Sequence, residues 1–207
     1  MKLPKTGTKV KRAVLTPDNV KAIVSELEEP YATLVLFLSI TGLRVGEAVG
    51  VKWSDFSGES LHVQRRIYER REGELKTDGS ERFIPVPAAL IERMKALCNL
   101  EEQRGTQGTG DWVFKSRNGT PVDPKNAGNR YLRPAVRKLG IPMGGWHDFR
   151  HTLATQLLDQ RHSAKMVAEL LGHSNVTTLL TTYAHPKSEG LRGPLNERAA
   201  ELLANVI

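Results

Sequence analysis

The chain has 207 residues, of which 39% are hydrophobic and 26% are charged, and it carries a formal net charge of +7 with an isoelectric point near 9.6. This composition is typical of a soluble globular protein with one good-sized core or two small ones. The basic balance favours a polyanionic partner such as nucleic acid, although a membrane surface is not excluded by charge alone.

Cysteine content and hydropathy bear on location. Cys98 is the only cysteine, so no disulfide can form within the chain and a reducing compartment is expected. The basic first residues lead into no hydrophobic run of signal-peptide length. The longest apolar run, Leu34 to Leu38, is too short to span a bilayer. We therefore predict a cytoplasmic protein without a membrane association.

The N-terminal part of the chain is predicted to be an arm followed by two helices. Residues 1–15 are rich in lysine and arginine and are expected to form a basic linker or arm. Thr16 before Pro17 is typical of a helix start, with the threonine as the N-cap. This helix is expected to run toward Glu28, and the apolar helix after it is expected to end at Gly42.

The next two segments contain charged residues whose role the sequence pattern alone does not determine. Arg44 and Glu47 are three residues apart, and the simplest interpretation is a surface ion pair. Alternating residues over 60–86 predict a small antiparallel sheet, with a hairpin turn at Asp78-Gly79. Lys76 precedes that turn, where a lysine is usually a solvated residue on a sheet edge.

The middle of the chain is predicted to contain an amphipathic helix over 87–103, a loop over 104–110 and a second helix over 124–139. One face of the second helix is basic, and this face includes Asn126, Arg130, Arg133 and Arg137. A basic stripe is most often only solvated. The excess of cations over 115–138 nevertheless favours contact with the phosphate backbone of a nucleic acid.

The helix that begins at His147 has a charged residue where an apolar one is expected. Its apolar arc consists of Phe149, Leu153, Ala154, Leu157 and Leu158, and the opposite side consists of Asp148, Thr152, Thr155, Gln156 and Asp159. Arg150 falls within the apolar arc, with no carboxylate three or four residues away on that face. An arginine beside a helix N-terminus predicts an anion site, most naturally for phosphate. The alternative is that Arg150 pairs with a distant carboxylate and that His147 caps the helix.

A metal site is not predicted at this helix. His147 and His151 have the i, i+4 spacing of paired ligands, but no third ligand and no HExxH glutamate are evident. The next helix is expected to start at Ser163 and to end at Gly172, so that His173 follows at a corner. Tyr183 then lies at the end of a further helix, where the simplest interpretation is a core residue.

The motifs HDFRH, LLGHS and TTYAHP, in this order and spacing, resemble the second half of the tyrosine recombinase (phage integrase) catalytic domain. The segment TGLRVGEAVGVKWSDF resembles the first arginine motif of that family, although Gly50-Val51 stands where the family often has a leucine. The segment KTDGSERFIP resembles the hairpin that carries its catalytic lysine. The resemblance covers residues 14–190.

The resemblance implies a fold that is mainly α with a small antiparallel sheet (α+β), a duplex DNA substrate and neither a metal nor a cofactor. The six catalytic residues that it implies are Arg44, Lys76, His147, Arg150, His173 and Tyr183. Glu47 is implied to anchor Arg44 from behind. In such enzymes a tyrosine cleaves DNA through a covalent phosphotyrosine, while arginines bind the phosphate.

The resemblance also implies a domain division and leaves alternatives open. We expect a catalytic domain over 16–189 and a helical tail over 190–207, which folds back on its own domain or docks on a neighbouring protomer of a tetramer on DNA. Family members usually carry an upstream DNA-clamping domain, so we expect this chain to bind DNA weakly and with a marked salt dependence. The alternatives are a non-catalytic DNA-binding accessory protein and a type IB topoisomerase.

Overall fold

The computed structural model describes residues 14–75, 81–103, 111–172 and 192–204. The fold is rich in helices and contains two small antiparallel sheets, as the sequence predicts. None of the helices in these ranges is long and apolar enough to cross a lipid bilayer.

The first two helices form the centre of the core. Helix α1 (Pro17–Glu26) begins with a capping box, in which the Thr16 hydroxyl accepts from Asn19 N at 3.1 Å. Helix α2 (Tyr31–Thr41) is buried from Ala32 to Thr41 and packs against helices on several sides, which explains why its sequence is apolar all round. It ends at Gly42, whose φ of 66° is the left-handed conformation of a helix C-cap.

The sheet has an addition that the sequence analysis did not anticipate. Strands β1 (Phe56–Ser57), β2 (Ser60–Val63) and β5 (Arg82–Pro85) form an antiparallel sheet in the order β1-β2-β5. A separate hairpin, β3 (Arg66–Tyr68) and β4 (Arg71–Gly73), lies between β2 and β5 in the chain. Its turn residues Glu69 and Arg70 have φ values of 48° and 64°. Glutamate and arginine rarely adopt this conformation, so the turn has no sequence signal. The predicted turn at Asp78-Gly79 lies outside the described residues.

The remaining helices follow the predicted order. They are α3 (Val45–Ala48), α4 (Ala88–Gln103), α5 (Pro124–Ala127), α6 (Arg133–Lys138), α7 (His147–Asp159), α8 (Ala164–Leu171) and α9 (Arg192–Leu203). A π-helical turn over Gly128–Leu132 joins α5 to α6, so that the predicted helix over 124–139 is a rod with an irregular middle. We call residues 124–138 the basic rod.

The polar side predicted for α7 is wrong at two positions. Thr152 is fully buried and Asp148 is only 5% exposed, whereas Leu158, which was expected inside, is 46% exposed. The Thr152 hydroxyl accepts from Leu15 N at 3.0 Å, and the Asp148 carboxylate accepts from Gly144 N at 2.5 Å. Other parts of the chain therefore cover α7 on both sides, and these hydrogen bonds satisfy the polar groups that are buried there.

The tail helix packs on its own domain. Helix α9 contacts α1, α2 and α4, and it buries Leu195, Ala199, Leu202 and Leu203. Arg198 is also buried, and its Nε donates to Ser39 O at 2.6 Å while its Nη1 donates to Gln156. This arrangement matches the folded-back alternative for the tail, and the boundary of the tail at residue 190 stays a prediction.

Candidate active site

Arg44 lies at the start of α3, immediately after the left-handed turn that ends α2. Its backbone N–H donates to Glu47 Oε2 at 3.2 Å and its Nη1 donates to Glu47 Oε1 at 2.7 Å. The side chain of Glu47 is only 3% exposed, whereas that of Arg44 is 44% exposed. The pair is therefore not a surface ion pair. A buried carboxylate directs a guanidinium that solvent can reach.

Glu47 also binds a second arginine, which comes from the sheet. Arg82 on β5 donates from Nη2 to Glu47 Oε2 at 2.9 Å, and its side chain is 8% exposed. Burial raises the pKa of Glu47, but the charges and hydrogen bonds of Arg82 and Arg44 outweigh burial and hold this pKa below its ordinary value. Glu47 is thus an anion at neutral pH and holds the guanidinium groups of Arg44 and Arg82 in position.

Arg150 is buried close to this pair. Only 2% of the residue is exposed, and its Nη1 donates to Gly42 O at 2.9 Å. Its Nη2 is buried without a hydrogen-bond partner among the described residues. Burial, together with the positive charges of Arg44 and Arg82, lowers the pKa of Arg150 to about 10, and the carboxylate of Glu47 opposes this shift. Arg150 therefore remains charged at neutral pH with one unused donor.

The end of α8 lies against two of these arginines. Arg44 Nη2 donates to Gly172 O at 3.3 Å and Arg82 Nε donates to Leu170 O at 2.9 Å. Gly172 has a φ of 64°, and a Cβ built on it would lie 2.6 Å from Arg82 Nη1. The backbone conformation therefore favours a glycine here, and a larger residue would also have to displace the guanidinium of Arg82. The chain continues from this point to His173, which lies outside the described residues.

His147 is the first residue of α7 and is exposed, three residues before Arg150. Its neighbours in the chain hold the helix start in place. Trp146 Nε1 donates to Pro124 O at 2.9 Å, and a Cβ on Gly128 would lie 2.9 Å from the same indole nitrogen. The start of α7 is therefore packed directly against the basic rod.

The predicted site residues divide into two groups. The structure brings Arg44, Glu47 and Arg150 together, and it places His147 on the helix of Arg150. Lys76, His173 and Tyr183 lie outside the described residues. Arg82 also belongs to the cluster, although the sequence analysis placed it only within the hairpin motif and gave it no role in the site. Its signal is its place in the segment KTDGSERFIP, two residues after Ser80.

The predicted DNA-contacting arginines are on the surface. Arg130, Arg133 and Arg137 are all exposed on the basic rod. Arg133 Nη1 donates to Asn129 Oδ1 at 2.7 Å. The π-helical turn lies within this stretch and changes the angular spacing between Arg130 and the two later arginines from that of a regular helix.

The arrangement can bind an oxyanion. Arg44 and Arg150 present guanidinium groups from two elements, and the N-terminus of the 13-residue helix α7 adds its dipole nearby. Among the described residues, no group of His, Cys, Asp and Glu side chains is arranged to hold a metal ion. The cations of the described cluster are arginines, which suit a phosphate with delocalised charge.

Comparison with known proteins points to one family. A family model described as "Phage integrase family" matches residues 13–189. A "tyrosine recombinase XerC-like" protein of Caldanaerobacter subterraneus is 33% identical over 168 residues, which cover 70% of this chain and 43% of that protein. "Tyrosine recombinase XerA" of Pyrococcus furiosus is 29% identical over 211 residues, which cover 100% of this chain and 66% of that protein. The chain thus spans less than two thirds of either relative.

The fold is also found in solved structures. The structure of the Tn1549 transposon integrase in complex with transposon right end DNA matches with a TM-score of 0.67 and 22% identity, over 93% of this chain and 67% of that chain. At this identity the match establishes the fold. The predicted fold class is therefore confirmed both by the observed elements and by this likeness.

Proposed function

The chain belongs to the phage integrase family, and we propose that it is the catalytic domain of a site-specific DNA recombinase. It cleaves and rejoins DNA strands through a covalent 3′-phosphotyrosine. The proposed catalytic residues are Arg44, Lys76, His147, Arg150, His173 and Tyr183.

One observation supports this proposal more than any other. Among the described residues, Arg150 is buried beside Arg44 with an unused Nη2 donor, and the nearby carboxylate of Glu47 is occupied by Arg44 and Arg82. A buried cation without its own carboxylate is expensive for folding. A scissile phosphate in contact with Arg44 and Arg150 would compensate that charge. Phosphate binding would therefore explain why a buried arginine is present at this position.

The proposed reaction begins with attack on phosphorus by the hydroxyl oxygen of Tyr183. The bond from phosphorus to O5′ breaks, so the products are a 3′-phosphotyrosine and a strand with a 5′-hydroxyl. His147 accepts the proton of the tyrosine hydroxyl, whose ordinary pKa near 10 makes it a weak nucleophile at neutral pH. Lys76 donates a proton to O5′ as it departs.

The arginines stabilise the charge that develops on the phosphate during this step. Arg44 and Arg150 donate to the non-bridging oxygens, and His173 adds a further hydrogen bond. The phosphotyrosine conserves the energy of the phosphodiester, so attack by another 5′-hydroxyl joins the strands and releases Tyr183. The chemistry therefore balances without a nucleotide cofactor.

The partner of this site is double-stranded DNA, and we propose that the exposed arginines of the basic rod, Arg130, Arg133 and Arg137, contact its phosphates. Because the basic rod packs against Trp146, it would place DNA next to the start of α7. A tetramer on DNA, formed through the tail, stays a further proposal.

The decisive experiment is covalent trapping. A duplex is nicked one nucleotide beyond the cleavage position, so that the released fragment diffuses away and cannot be rejoined. The wild-type protein is expected to form a DNA–protein adduct that survives denaturing electrophoresis, and Tyr183→Phe is expected to form none. The target site is first recovered by mapping wild-type adducts on a library of DNA sites.

The outcome separates the proposal from its rivals. An absence of adduct with wild-type protein, or an adduct that persists in Tyr183→Phe, contradicts the proposal. Sequence-specific retention of DNA in a gel without an adduct would instead identify an accessory DNA-binding protein. Relaxation of supercoiled plasmid at any sequence would identify a topoisomerase.

A further inference from the structure

A cavity of about 730 Å³ opens beside Arg44. Its lining comes from the start of α3, the turn of the β3–β4 hairpin and the start of α5. The lining includes Arg44, Arg66, Tyr68, Arg70 and Lys125. Arg44 is shared between this cavity and the proposed phosphate site, so the two spaces adjoin.

The chain's own contacts set the shape of the cavity. A Cβ on Gly46 would lie 2.8 Å from Ile67 O, which means that α3 touches β3 directly. Arg70 Nε donates to Asp123 Oδ2 at 2.8 Å and joins the hairpin turn to the residue before α5. The hairpin turn, in which Glu69 and Arg70 have positive φ values, is thus connected to α3 through β3 and to α5 through Asp123.

The lining combines an exposed aromatic ring with cations. Tyr68 is 63% exposed, and the guanidinium of Arg66 lies 5.6 Å from its ring centroid. Proteins bind unpaired nucleotides with this combination, in which the base stacks on the ring and basic side chains hold the phosphate. The carboxylates of Glu47, Glu69 and Asp123 also line the cavity and reduce its net charge. Because positive and negative side chains nearly balance, the cavity is better suited to a ligand bound by stacking than to a ligand bound by charge alone.

We propose that this cavity is a subsite for one unpaired nucleotide of the DNA strand, with its base stacked on Tyr68. The inference rests on the proposed function. Cleavage at a phosphate bound by Arg44 leaves a strand with a 5′-hydroxyl, and its terminal nucleotide must leave its complementary base before it can be joined elsewhere. A nucleotide pocket that adjoins Arg44 holds this nucleotide beside the phosphate site during that interval.

The test compares three short nicked duplexes of one sequence, each just long enough to cover one protomer. The first has a flush nick, the second has one unpaired nucleotide as a 5′ flap at the nick, and the third has the same flap with an abasic sugar. Affinities are measured by fluorescence anisotropy at one salt concentration. Wild-type protein is expected to bind the flap duplex at least about fivefold more tightly than the other two.

Substitutions at Tyr68 test whether its ring causes the preference for the flap duplex. Tyr68→Ala is expected to bind all three duplexes alike, and Tyr68→Phe is expected to keep the preference because the ring remains. Phe83→Ala is the matched control. Phe83 is also exposed, at 60%, but it stacks on His62 on the three-stranded sheet and does not line the cavity. This variant is expected to retain the preference.

The results also separate this inference from the proposed function, because the same preparations are assayed for covalent adduct on the trapping substrate. Adduct formation without a base-dependent preference overturns the subsite and leaves the recombinase proposal intact. A preference that survives Tyr68→Ala, or that Phe83→Ala also removes, likewise overturns the subsite. A failure to form adduct overturns the proposed function.

Discussion

Arg82 Nη2 and Glu47 Oε2 are 2.9 Å apart, and through this contact the edge of the sheet meets the short helix that begins after Arg44. The other oxygen of the same carboxylate accepts from Arg44. One buried anion therefore orients two cations from distant parts of the chain. Arg44 stays accessible while its direction is fixed, as the proposed role in phosphate binding requires.

Glu47→Gln should weaken both folding and catalysis. The variant leaves the buried Arg82 and the partly exposed Arg44 without their shared counter-charge, so we expect the free energy of unfolding to fall by about 3–5 kcal/mol. Because Arg44 loses its anchor, the rate of adduct formation should fall by about 10²-fold. Urea unfolding and adduct formation on the trapping substrate, under conditions where the variant is folded, measure the two effects.

Asp55→Asn is the matched control for this variant. Asp55 is also buried, at 5% exposed, and it binds Arg65 and the backbone N–H of Lys52. Its loss should destabilise the fold but leave the adduct rate of the folded protein near the wild-type value. Equal losses of adduct rate in both variants would mean that Glu47 contributes only to stability.

The same carboxylate predicts a pH dependence of stability. The pKa of Glu47 is lower in the folded protein than in the unfolded chain, so its contribution is complete above the unfolded value of about 4.3 and is lost as pH falls through the folded value. We expect the difference in unfolding free energy between wild type and Glu47→Gln to be constant above about pH 5 and to shrink on further acidification. Urea unfolding over a pH series measures it, and a difference that grows on acidification would contradict the assignment.

Arg150→Met should separate stability from function. Burial and the positive charges of Arg44 and Arg82 disfavour the charged form of Arg150 and lower its pKa. An apolar side chain of similar length removes that penalty. We expect the free energy of unfolding to be unchanged or higher, by up to about 2 kcal/mol. The adduct rate should fall by about 10²–10³-fold, because a phosphate donor is lost.

Arg198→Met provides the comparison for Arg150→Met. Burial also lowers the pKa of Arg198 to about 10, but this residue lies in the tail helix and donates to Ser39 and Gln156. Its replacement should resemble Arg150→Met in thermal unfolding while the adduct rate is retained. If Arg150→Met formed adduct as fast as Arg198→Met, the phosphate-binding role of Arg150 would be wrong.

Local signals made much of the fold predictable from sequence. The cap at Thr16 and the helix ends at Gly42 and Gly172 depend on backbone conformations that neighbouring residues determine, and the structure confirms all three. Arg150 could be identified as exceptional because a charge within an apolar arc conflicts with helical periodicity. These features need no knowledge of residues far away in the chain.

The features that were missed depend on distant partners. Thr152 is buried because it binds Leu15, which lies 137 positions away, and helical periodicity has no access to that contact. Arg82 belongs to the cluster only because Glu47 accepts from it across the fold. The turn at Glu69 and Arg70 was missed for a different reason, since neither residue type is typical of its backbone conformation.

Gly172→Ala should impair the cluster beyond the strain of its backbone. A Cβ there would displace Arg82, which lies 2.6 Å away, in addition to the left-handed φ of 64°. Gly140→Ala isolates the backbone effect, because Gly140 has a φ of 65° with nothing within 4 Å of its Cβ position. We expect Gly140→Ala to lose about 1–2 kcal/mol of stability and no adduct rate, and Gly172→Ala to lose more stability and also adduct rate. Identical behaviour of the two variants would exclude a role for the contact with Arg82.

Substitution of the basic rod tests the DNA interface. Arg130→Gln, Arg133→Gln and Arg137→Gln should each weaken DNA binding similarly for all sequences and reduce the slope of log affinity against log salt by about 1, because each removes one phosphate contact. Lys95→Gln is the control, since Lys95 is an exposed cation on α4 that pairs with Glu92. A slope that one of these variants leaves unchanged, as Lys95→Gln is expected to do, would exclude that arginine from the DNA interface. Anisotropy titrations at several salt concentrations therefore show which arginines face the duplex.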